Sequence, residues 1–385
     1  MNFKQGITPF SARPPHLGQA AAPLLFFLLG VIYATWAARI PAIRDVLQLN
    51  LAQLGLVLLA GGIGAVASLP LAGLLVSRCG ARHAALYTGI GLLLMLPCLA
   101  LAPGMGWLCA AMAGLGAASS CFDVAINAYG AEAEKIAGRS IMSMLHAWFC
   151  VGTMSGALLG SGLAWMAVSP LTHFSAVAVF SATLLWTGFK NLPPLHPRSD
   201  ADKPRLALLH GPLIILGVIG FCGAMAEGSI ADWSGVFMKD QLAVDDGVAP
   251  LAFAGFSALM LAARLVCDRL KDRFGARRVV ALGALLAAVG VVIAVLGFNV
   301  VLTIAGFALT GAGLAAVFPF VFSAAGRHGA TALAGVATLS YSGSLIGPPL
   351  IGFLAQGWGM QAALAFIALL SVAIACMASR AALLE

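Results

Sequence analysis

Three ionisable side chains lie deep within long apolar segments of this 385-residue chain, and they are the first candidates for chemistry. Asp123, His146 and Glu227 each fall well inside a run that is otherwise almost free of charge. Apolar runs of this length indicate membrane-spanning helices, and a charge inside hydrocarbon costs about 2.5–3.5 kcal/mol on insertion scales. A charge kept at that cost indicates binding or proton transfer.

Asp123 lies on a polar stripe of one predicted helix. Ser119, Ser120 and Asn127 are three or four residues away from it, which places all four on one helical face. That face is predicted to point into a helix bundle rather than toward lipid. Two interpretations stay open: a proton or substrate site that includes Asp123 and Asn127, or a hydrogen-bonding seam between helices.

His146 follows on the next predicted helix. Asp123 and His146 lie about 8 and 6 residues from the loop that joins their helices, so their depths nearly coincide at 1.5 Å per residue. An Asp123–His146 pair is one prediction, with His146 in proton coupling or substrate binding. A neutral histidine bonded to backbone or hydroxyl is the alternative.

Glu227 lies in the middle of its predicted helix, with Gly220 and Gly223 on the same face. A carboxyl group at that depth could carry a proton near neutral pH. We therefore hypothesise that Glu227 or Asp123 couples a function of this chain to a proton gradient.

Aromatic residues provide a second group of candidates. Tyr33, Trp36 and Arg39 recur every three residues near one helix end, and Tyr341 precedes the pair Pro348-Pro349 on another helix. Tyrosine and tryptophan are common anchors at membrane interfaces. The alternative is an aromatic platform with a guanidinium group, which suits a sugar-like solute or an anion.

Composition fixes the class of protein. The chain is 61% hydrophobic and 9% charged, far below the roughly 25% charged residues of soluble domains. It therefore indicates an all-α membrane protein in a lipid bilayer with twelve membrane-spanning helices. The predicted helices are 20–41, 51–76, 84–104, 107–131, 140–168, 171–190, 211–237, 249–267, 279–298, 300–325, 331–355 and 359–380.

The basic residues are sorted by loop. Of the 21 Lys and Arg, 17 fall in alternate loops and the two tails, three (Arg39, Arg44, Lys239) fall on the other side, and Arg264 lies within a helix. The positive-inside rule then predicts that both termini are cytoplasmic. The net charge of +7 forms no single basic patch, which argues against nucleic-acid binding. The 8 cysteines contain no Cys-x-x-Cys motif, and we expect no metal site and no cofactor.

The chain divides into two related halves. Residues 1–19 form a polar tail, 20–190 a first six-helix bundle, 191–210 a polar cytoplasmic linker and 211–385 a second bundle. Residues 78–82 (RCGAR) match 273–277 (RFGAR), and 155–160 (SGALLG) match 342–347 (SGSLIG), at nearly the same offset. Repeats half a chain apart predict pseudo-symmetric bundles around a central site.

The loops that carry the first repeat resemble the signature of the major facilitator superfamily, Gly-x-Leu-Ala-Asp-Arg-x-Gly-Arg-Arg. Residues 73–83 read GLLVSRCGARH, with Ser77 where the family has an acid, and residues 268–278 read DRLKDRFGARR. The resemblance implies a gate. Its residues would be Gly73, Arg78, Gly80, Arg82, Arg264, Asp268, Asp272, Arg273, Gly275 and Arg277. Snorkelling of Arg264, with the other charges setting orientation, is the alternative.

Four further segments resemble the YbjJ-type bacterial inner-membrane branch, which is related to the fucose permease. They are 36–41 (WAARIP), 123–127 (DVAIN), 143–146 (SMLH) and 227–233 (EGSIADW). The resemblance implies a monomeric secondary transporter in the bacterial inner membrane, and most members of that branch have no assigned substrate. From the deep polar residues we expect proton symport of a small polar solute with sugar-like chemistry. Proton-coupled efflux of drug-like or amphipathic compounds is the alternative within that class.

Other classes fit the sequence less well. The chain has no Gly-x-x-x-x-Gly-Lys-Ser/Thr loop for ATP and no His-Glu-x-x-His motif. A membrane enzyme would need convergent groups near one interface, whereas the deep polar residues are spread over both halves. A receptor would usually carry a soluble domain, for which no segment is long enough.

Overall fold

The structure is a computed structural model that describes residues 15–137, 141–193 and 211–384. Helices are the regular elements of these ranges. In chain order they are α1 Pro15–Ala37, α2 Ile40–Val46, α3 Leu51–Ala67, α4 Leu69–Ala100, α5 Met105–Ala137, α6 Met142–Trp165, α7 Pro170–Asn191, α8 Pro212–Leu242, α9 Leu251–Phe274, α10 Ala276–Leu296, α11 Val300–Leu314, α12 Val317–Gly326, α13 Ala330–Trp358, α14 Met360–Ala378 and a 3-10 turn Ala382–Leu384.

The described helices provide twelve membrane crossings, as predicted. Ten segments are long and apolar enough to span a membrane, and one of them, residues 51–100, is 50 residues long. That segment contains two crossings, because Gly80 has a φ of 75° that separates two helical stretches of α4. The 29-residue α13, which carries no Asp, Glu, Lys or Arg, is the remaining crossing.

Proline explains where two predicted helices are interrupted. The first predicted helix, 20–41, ends at Ala37, and α2 begins with Pro41 in its first turn. The tenth, 300–325, breaks at Ala315, because Pro319 has no N–H group to donate to the carbonyl of Ala315. In contrast, α13 runs through Pro348 and Pro349 without a break.

Several helices begin at a polar cap. The Asn50 side chain accepts from the backbone N–H of Gln53 at 2.8 Å, and the Gln53 side chain accepts from the Asn50 N–H at 2.9 Å. Ser169 and Asn299 cap α7 and α11 in the same way. Such caps satisfy the free N–H groups of the first turn, so the sequence marks these helix starts locally.

Helices α1–α7 and α8–α14 form two six-span bundles. In the first, α1 packs against α6 and α7, and in the second, α8 packs against α13 and α14. Residues 1–14 of the predicted tail and 194–210 of the predicted linker lie outside the described residues, and α1 begins at Pro15, within the predicted tail.

The second sequence repeat is a pair of equivalent glycine contacts. A Cβ on Gly156 of α6 would lie 2.7 Å from the carbonyl oxygen of Val31 in α1. A Cβ on Gly343 of α13 would lie 2.1 Å from the carbonyl oxygen of Phe221 in α8. Small residues let helix backbones approach closely where lipid gives no hydrophobic driving force. The stripe of Gly152, Gly156 and Gly160 on α6 therefore serves helix packing.

The first sequence repeat is equally symmetric. Gly80 and Gly275 have nearly the same backbone conformation, with φ and ψ of 75° and 154° against 82° and 147°. Arg82 donates from Nε to the carbonyl of Phe189 at 3.1 Å, and Arg277 donates from Nε to the carbonyl of Ser379 at 2.7 Å. Each arginine thus binds the end of the last helix of its own half, where a cation is favoured by the helix dipole. We call the end of the protein that carries these two arginines and the ends of α7 and α14 the terminal face. The other end is the opposite face.

The two halves meet mainly toward the opposite face. Pairs that cross between the halves are α3 with α13, α6 with α9, and α1 and α2 with α8. A Cβ on Gly352 of α13 would lie 2.8 Å from the carbonyl oxygen of Leu51, at the start of α3. Toward the terminal face, a Cβ on Gly73 would meet no atom within 4 Å, and the motif-loop residues Arg78 and Asp272 are exposed. We call the interface between the two halves the seam. It is closed at the opposite face and open toward the terminal face.

Replacing Gly152 of α6 by alanine is expected to destabilise the protein. The added Cβ would lie 2.2 Å from the carbonyl oxygen of Phe27, so α1 and α6 would have to separate, and overpacking typically costs about 1–3 kcal/mol. Gly162→Ala is the matched control, because Gly162 lies in the same helix with nothing within 4 Å. It should be neutral or slightly stabilising. Thermal melting in detergent measures both, and equal melting temperatures would contradict this account.

Candidate functional site

Six polar side chains from both halves lie in one layer of the seam. Counting 1.5 Å per residue from the opposite-face end of each helix places them at depths of about 20–28 Å. They are Asp123 of α5, His146 and Cys150 of α6, Glu227 of α8, Arg264 of α9 and Tyr341 of α13. We call these six residues the central layer. It lies where the closed part of the seam meets the open part.

Asp123 is bonded along its own helix. The Asn127 side-chain amide donates to Asp123 Oδ1 at 2.8 Å and to the Asp123 carbonyl at 2.9 Å. Both side chains are partly exposed. The two polar residues of the predicted stripe thus form one unit, and Asp123 keeps a second carboxylate oxygen that can accept another hydrogen bond.

The structure does not contain the Asp123–His146 pair. Although α5 and α6 are consecutive in the chain, α6 packs chiefly against α1, and it has little contact with α5. His146 lies edge-on against Phe26 of α1, with ring centroids 5.4 Å apart. The prediction assumed that consecutive helices pack as a hairpin, and here α1 occupies that place.

Arg264 extends into the seam rather than along α9. Its Nη1 donates to Cys150 Sγ across the seam at 2.7 Å. Its Nε is buried without a hydrogen-bond partner. In the described residues no ion pair joins Arg264 to Asp268 or Asp272, although i,i+4 spacing suggested one. In this conformation the side chain lies in the central layer, and its role in a gate latch stays a prediction.

Glu227 stands near Arg264 without bonding it. The two charges interact electrostatically, yet they form none of the ion pairs within 4 Å in the described part of the chain. Glu227 is partly exposed. Its carboxyl group is thus available to a proton, to a solute or to the guanidinium of Arg264.

Aromatic rings line the layer on both sides. The Tyr33 ring of α1 lies 6.5 Å from Phe149 of α6 and 6.2 Å from Phe253 of α9, so this cluster bridges the halves. The Tyr33 hydroxyl is within electrostatic range of Asp232 and Glu227 of α8. Asp232 is 8% exposed and lies five residues closer to the opposite face than Glu227.

Tyr341 is the aromatic group of the second half that faces the open seam. Its ring is 54% exposed, and it lies 6.4 Å from Phe318 and 5.9 Å from Phe322. It is within electrostatic range of both Asp123 and Glu227. The sequence offered no signal for Phe318 and Phe322, because phenylalanine is as common on lipid-facing surfaces as in a binding site.

Trp36 and Arg39 are placed differently from the predicted platform. Trp36 is 1% exposed, and Arg39 is 3% exposed. The Arg39 Nε donates to His173 Nδ1 at 3.1 Å, and its Nη2 donates to the carbonyl of Val168 at 2.9 Å. These contacts fasten α1 to the start of α7 inside the first half. The two residues therefore support the wall that carries Tyr33, and His173 is the partner that sequence reasoning missed.

The remaining predicted gate residues lie at the terminal face. Most of them are exposed there: Gly73, Arg78, Asp268, Asp272, Arg273 and Gly275. Only Arg82 and Arg277 have the helix-end contacts described above. A cation–π contact at 5.3 Å joins the Arg273 guanidinium to the ring of its neighbour Phe274. In this open arrangement Arg82 and Arg277 of the motif loops bind residues of their own half.

Ion pairs close the opposite face. Arg44 of α2 binds Asp240 of α8 through two bonds, Nη1 to Oδ2 at 2.6 Å and Nη2 to Oδ1 at 2.7 Å. Lys239 Nζ lies 2.6 Å from Asp45 Oδ2 and 2.5 Å from Asp246 Oδ1. Bidentate guanidinium–carboxylate pairs are the strong and geometrically specific ones. We call these five residues the outer ion network. It joins the halves in both directions, because a cation of each half binds a carboxylate of the other.

A double-mutant cycle should measure the coupling across the outer ion network. We expect Arg44→Ala and Asp240→Ala each to destabilise the purified protein, and the double variant to lose less than the sum. Contacting pairs of this kind couple by about 0.5–3 kcal/mol. The Arg44 side chain is 12% exposed, so high salt should weaken the coupling only in part. Strict additivity in the melting data would show that the pair does not hold the face closed.

Comparison with known proteins identifies the family. A family model for the Major Facilitator Superfamily matches residues 21–237 and 216–384. An uncharacterized MFS-type transporter of Yersinia pestis is 35% identical over 365 residues, 94% of this chain and 94% of that protein. The uncharacterized transporter y4wD of Sinorhizobium fredii is 33% identical over 94% of this chain and 97% of its own length, and membrane protein MosC of Rhizobium meliloti is 31% identical over 92% and 88%.

Solved structures agree on the fold. A bacterial homolog of the human lysosomal transporter Spinster, in an inward-facing and occupied conformation, superposes with a TM-score of 0.78 at 14% identity, covering 96% of this chain and 98% of that one. The nucleoside transporter NupG superposes with a TM-score of 0.72 at 16% identity, covering 94% and 98%. The finer assignment to a fucose-permease-like branch stays a prediction. The chain belongs to the major facilitator superfamily, and it is a multi-pass membrane transport protein rather than an enzyme.

Proposed function

We propose that the protein is a secondary active transporter that moves a small polar solute by proton-coupled symport. The observation that carries the proposal is the central layer. It includes carboxyl groups on both walls of one seam, Asp123 on the first half and Glu227 on the second, and neither forms an ion pair with another described residue. Ionisable residues that lie inside membrane-spanning helices usually mark the pathway of an ion or a substrate.

Alternating access follows from the way in which the halves meet. Here the outer ion network and the α3–α13 contact close the opposite face, while the terminal face stays open. Rocking of the two bundles about the central layer would break the outer contacts and bring the motif loops together. In that second state the residues assigned to a gate at the terminal face, including Arg78, Asp272 and Arg273, would meet their partners.

The lining of the layer favours a polar solute with an apolar face. Tyr33 and Tyr341 present rings and hydroxyl groups from opposite halves, and Asn127, His146 and Glu227 add hydrogen-bonding groups. Aromatic rings flanked by a few polar groups suit flat, hydroxylated solutes such as sugar-like ones.

Orientation and location complete the proposal. The terminal face carries Arg78, Arg82, Lys190, Arg277, Arg278 and Arg327, whereas in the outer ion network of the opposite face two cations meet three carboxylates. The positive-inside rule therefore makes the terminal face cytoplasmic. We propose a monomer in the bacterial inner membrane, with both termini in the cytoplasm.

Neutral replacements of the two carboxyl groups test proton coupling. Purified protein is screened by thermal shift against sugars, polyols, nucleosides, organic acids and cationic drugs at pH 5.5 and pH 8, since a ligand of the folded state raises its stability by mass action. Hits are then assayed for pH-driven uptake in proteoliposomes. We expect Glu227→Gln or Asp123→Asn to abolish the dependence on the pH gradient while the protein remains folded.

Glu132→Gln is the matched control, because Glu132 lies on the same helix as Asp123 but nine residues closer to the terminal face. It should keep the full response. If both carboxyl variants retained pH-driven uptake, the coupling proposal would fail. Hits restricted to bulky cations or apolar drugs would instead favour efflux of amphipathic compounds.

A further inference from the structure

We propose that Arg264 binds an anionic oxygen group of the transported solute, so that the solute is a small organic acid, carboxylate or phosphate, and that Glu227 competes for the same guanidinium. This inference rests on the proposed function, since it names the substrate class of the same central layer.

The first argument is the unmet bonding capacity of Arg264. A guanidinium group carries five N–H donors and prefers a planar, bidentate acceptor. Here one donor reaches the thiol of Cys150, which is a weak acceptor, and the buried Nε has no partner. A buried donor without a partner is unfavourable, and more so when it is charged. An oxyanion in the seam would satisfy several of these donors together.

The second argument is the set of groups that face Arg264. No carboxylate of the described chain lies within ion-pair distance of it. The titratable groups that interact electrostatically with Arg264 are His146 and Cys150 of α6, Glu227 of α8 and Cys267 of its own helix. Beyond them, Tyr33 interacts with Glu227 and Asp232, Tyr341 interacts with Glu227 and Asp123, and Asp268 interacts with Cys267. Among these, Arg264 is the permanent cation. It is therefore the natural anchor for an anion, and Glu227 is its nearest rival acid on the facing helix.

Charge balance then links the solute to the proton. With Glu227 ionised and the site empty, the charges of Arg264 and Glu227 compensate each other within the second half. When a solute anion occupies Arg264, a proton on Glu227 removes the repulsion between the two acids and leaves the net charge of the layer unchanged. Binding of one anion is thus accompanied by uptake of one proton. Without the proton, Glu227 displaces the anion.

The position of Arg264 also links binding to movement of the halves. Its present partner, Cys150, belongs to the first half, whereas Arg264 and Glu227 belong to the second. An anion on Arg264 would withdraw the guanidinium from Cys150 and weaken a contact between α6 and α9. Cys150 is therefore a built-in reporter of occupancy, because the residue is 2% exposed and its thiol accepts a hydrogen bond from Arg264.

The test uses matched probes on the full-length protein in detergent. Glucuronate is compared with glucose, gluconate with sorbitol, glycerol phosphate with glycerol, and glucosamine provides the cation, each up to 100 mM at constant ionic strength. Thermal shift and alkylation of Cys150, read by mass spectrometry of its peptide, are recorded at pH 5.5 and pH 8. We expect at least one anion to stabilise the protein and to raise Cys150 alkylation, more strongly at pH 5.5, with the neutral partner at least tenfold weaker.

Variants separate this proposal from simple charge effects. Arg264→Lys keeps the charge but not the planar donor set, and it should weaken anion binding at least tenfold; Arg264→Met should abolish it. Glu227→Gln should bind the anion equally at both pH values. Arg380→Met, at an exposed arginine of the terminal face, should leave binding unchanged.

Each outcome decides the question. If no anion acts up to 100 mM, or if neutral or cationic probes act equally well in wild type and Arg264→Lys, the substrate class is wrong. Loss of pH-driven uptake in Glu227→Gln would in that case still support proton coupling. Conversely, anion binding that depends on Arg264 but not on pH would support the anchor and overturn the proposed coupling.

Discussion

Hydrocarbon solvates neither ions nor free backbone groups, and the whole structure follows from that constraint. Every crossing is a helix because only a helix satisfies its own N–H and C=O groups. Charges are sorted into three places: the arginine-rich loops of the terminal face, the outer ion network of the opposite face, and the central layer of the seam. The first two contact water. The third is kept despite its cost, which is why the function is expected there.

Glycine does the packing work that apolar side chains do in water-soluble proteins. The contacts of Gly156 with Val31 and of Gly343 with Phe221 bring backbones together inside each half. The equivalent positions of these contacts in the two halves, and the shared backbone conformation of Gly80 and Gly275, show that the two bundles are built on the same plan. The rocking motion that we propose would occur about the seam between them.

The seam itself is held by contacts of unequal quality. At the opposite face, Arg44 and Asp240 satisfy each other fully. In the central layer, Arg264 is left with a thiol, and Glu227 with no partner in the described chain. A ligand shifts a conformational equilibrium only by binding one state better than another. The unsatisfied groups in the middle of the seam are where a ligand could bind one state better, whereas the ion pair at the opposite face is already satisfied.

The sequence by itself determined the class of protein, the twelve crossings, the halves and the glycine packing, since hydropathy, charge sorting and small-residue spacing are local signals. It also singled out Asp123, Asn127, Glu227 and Tyr341, because an intramembrane charge or a polar stripe can be recognised without knowing its neighbours. Which residue meets which was decided by the tertiary structure. Consecutive α5 and α6 do not pack closely, and Asp123 is hydrogen-bonded to Asn127 rather than to His146. Arg39 donates to His173 inside the first half. Arg264 reaches across the seam to Cys150 instead of lying along its own helix. The physical reason is that a contact between helices depends on their order in space and their rotation, and neither is encoded in the spacing of residues along one helix.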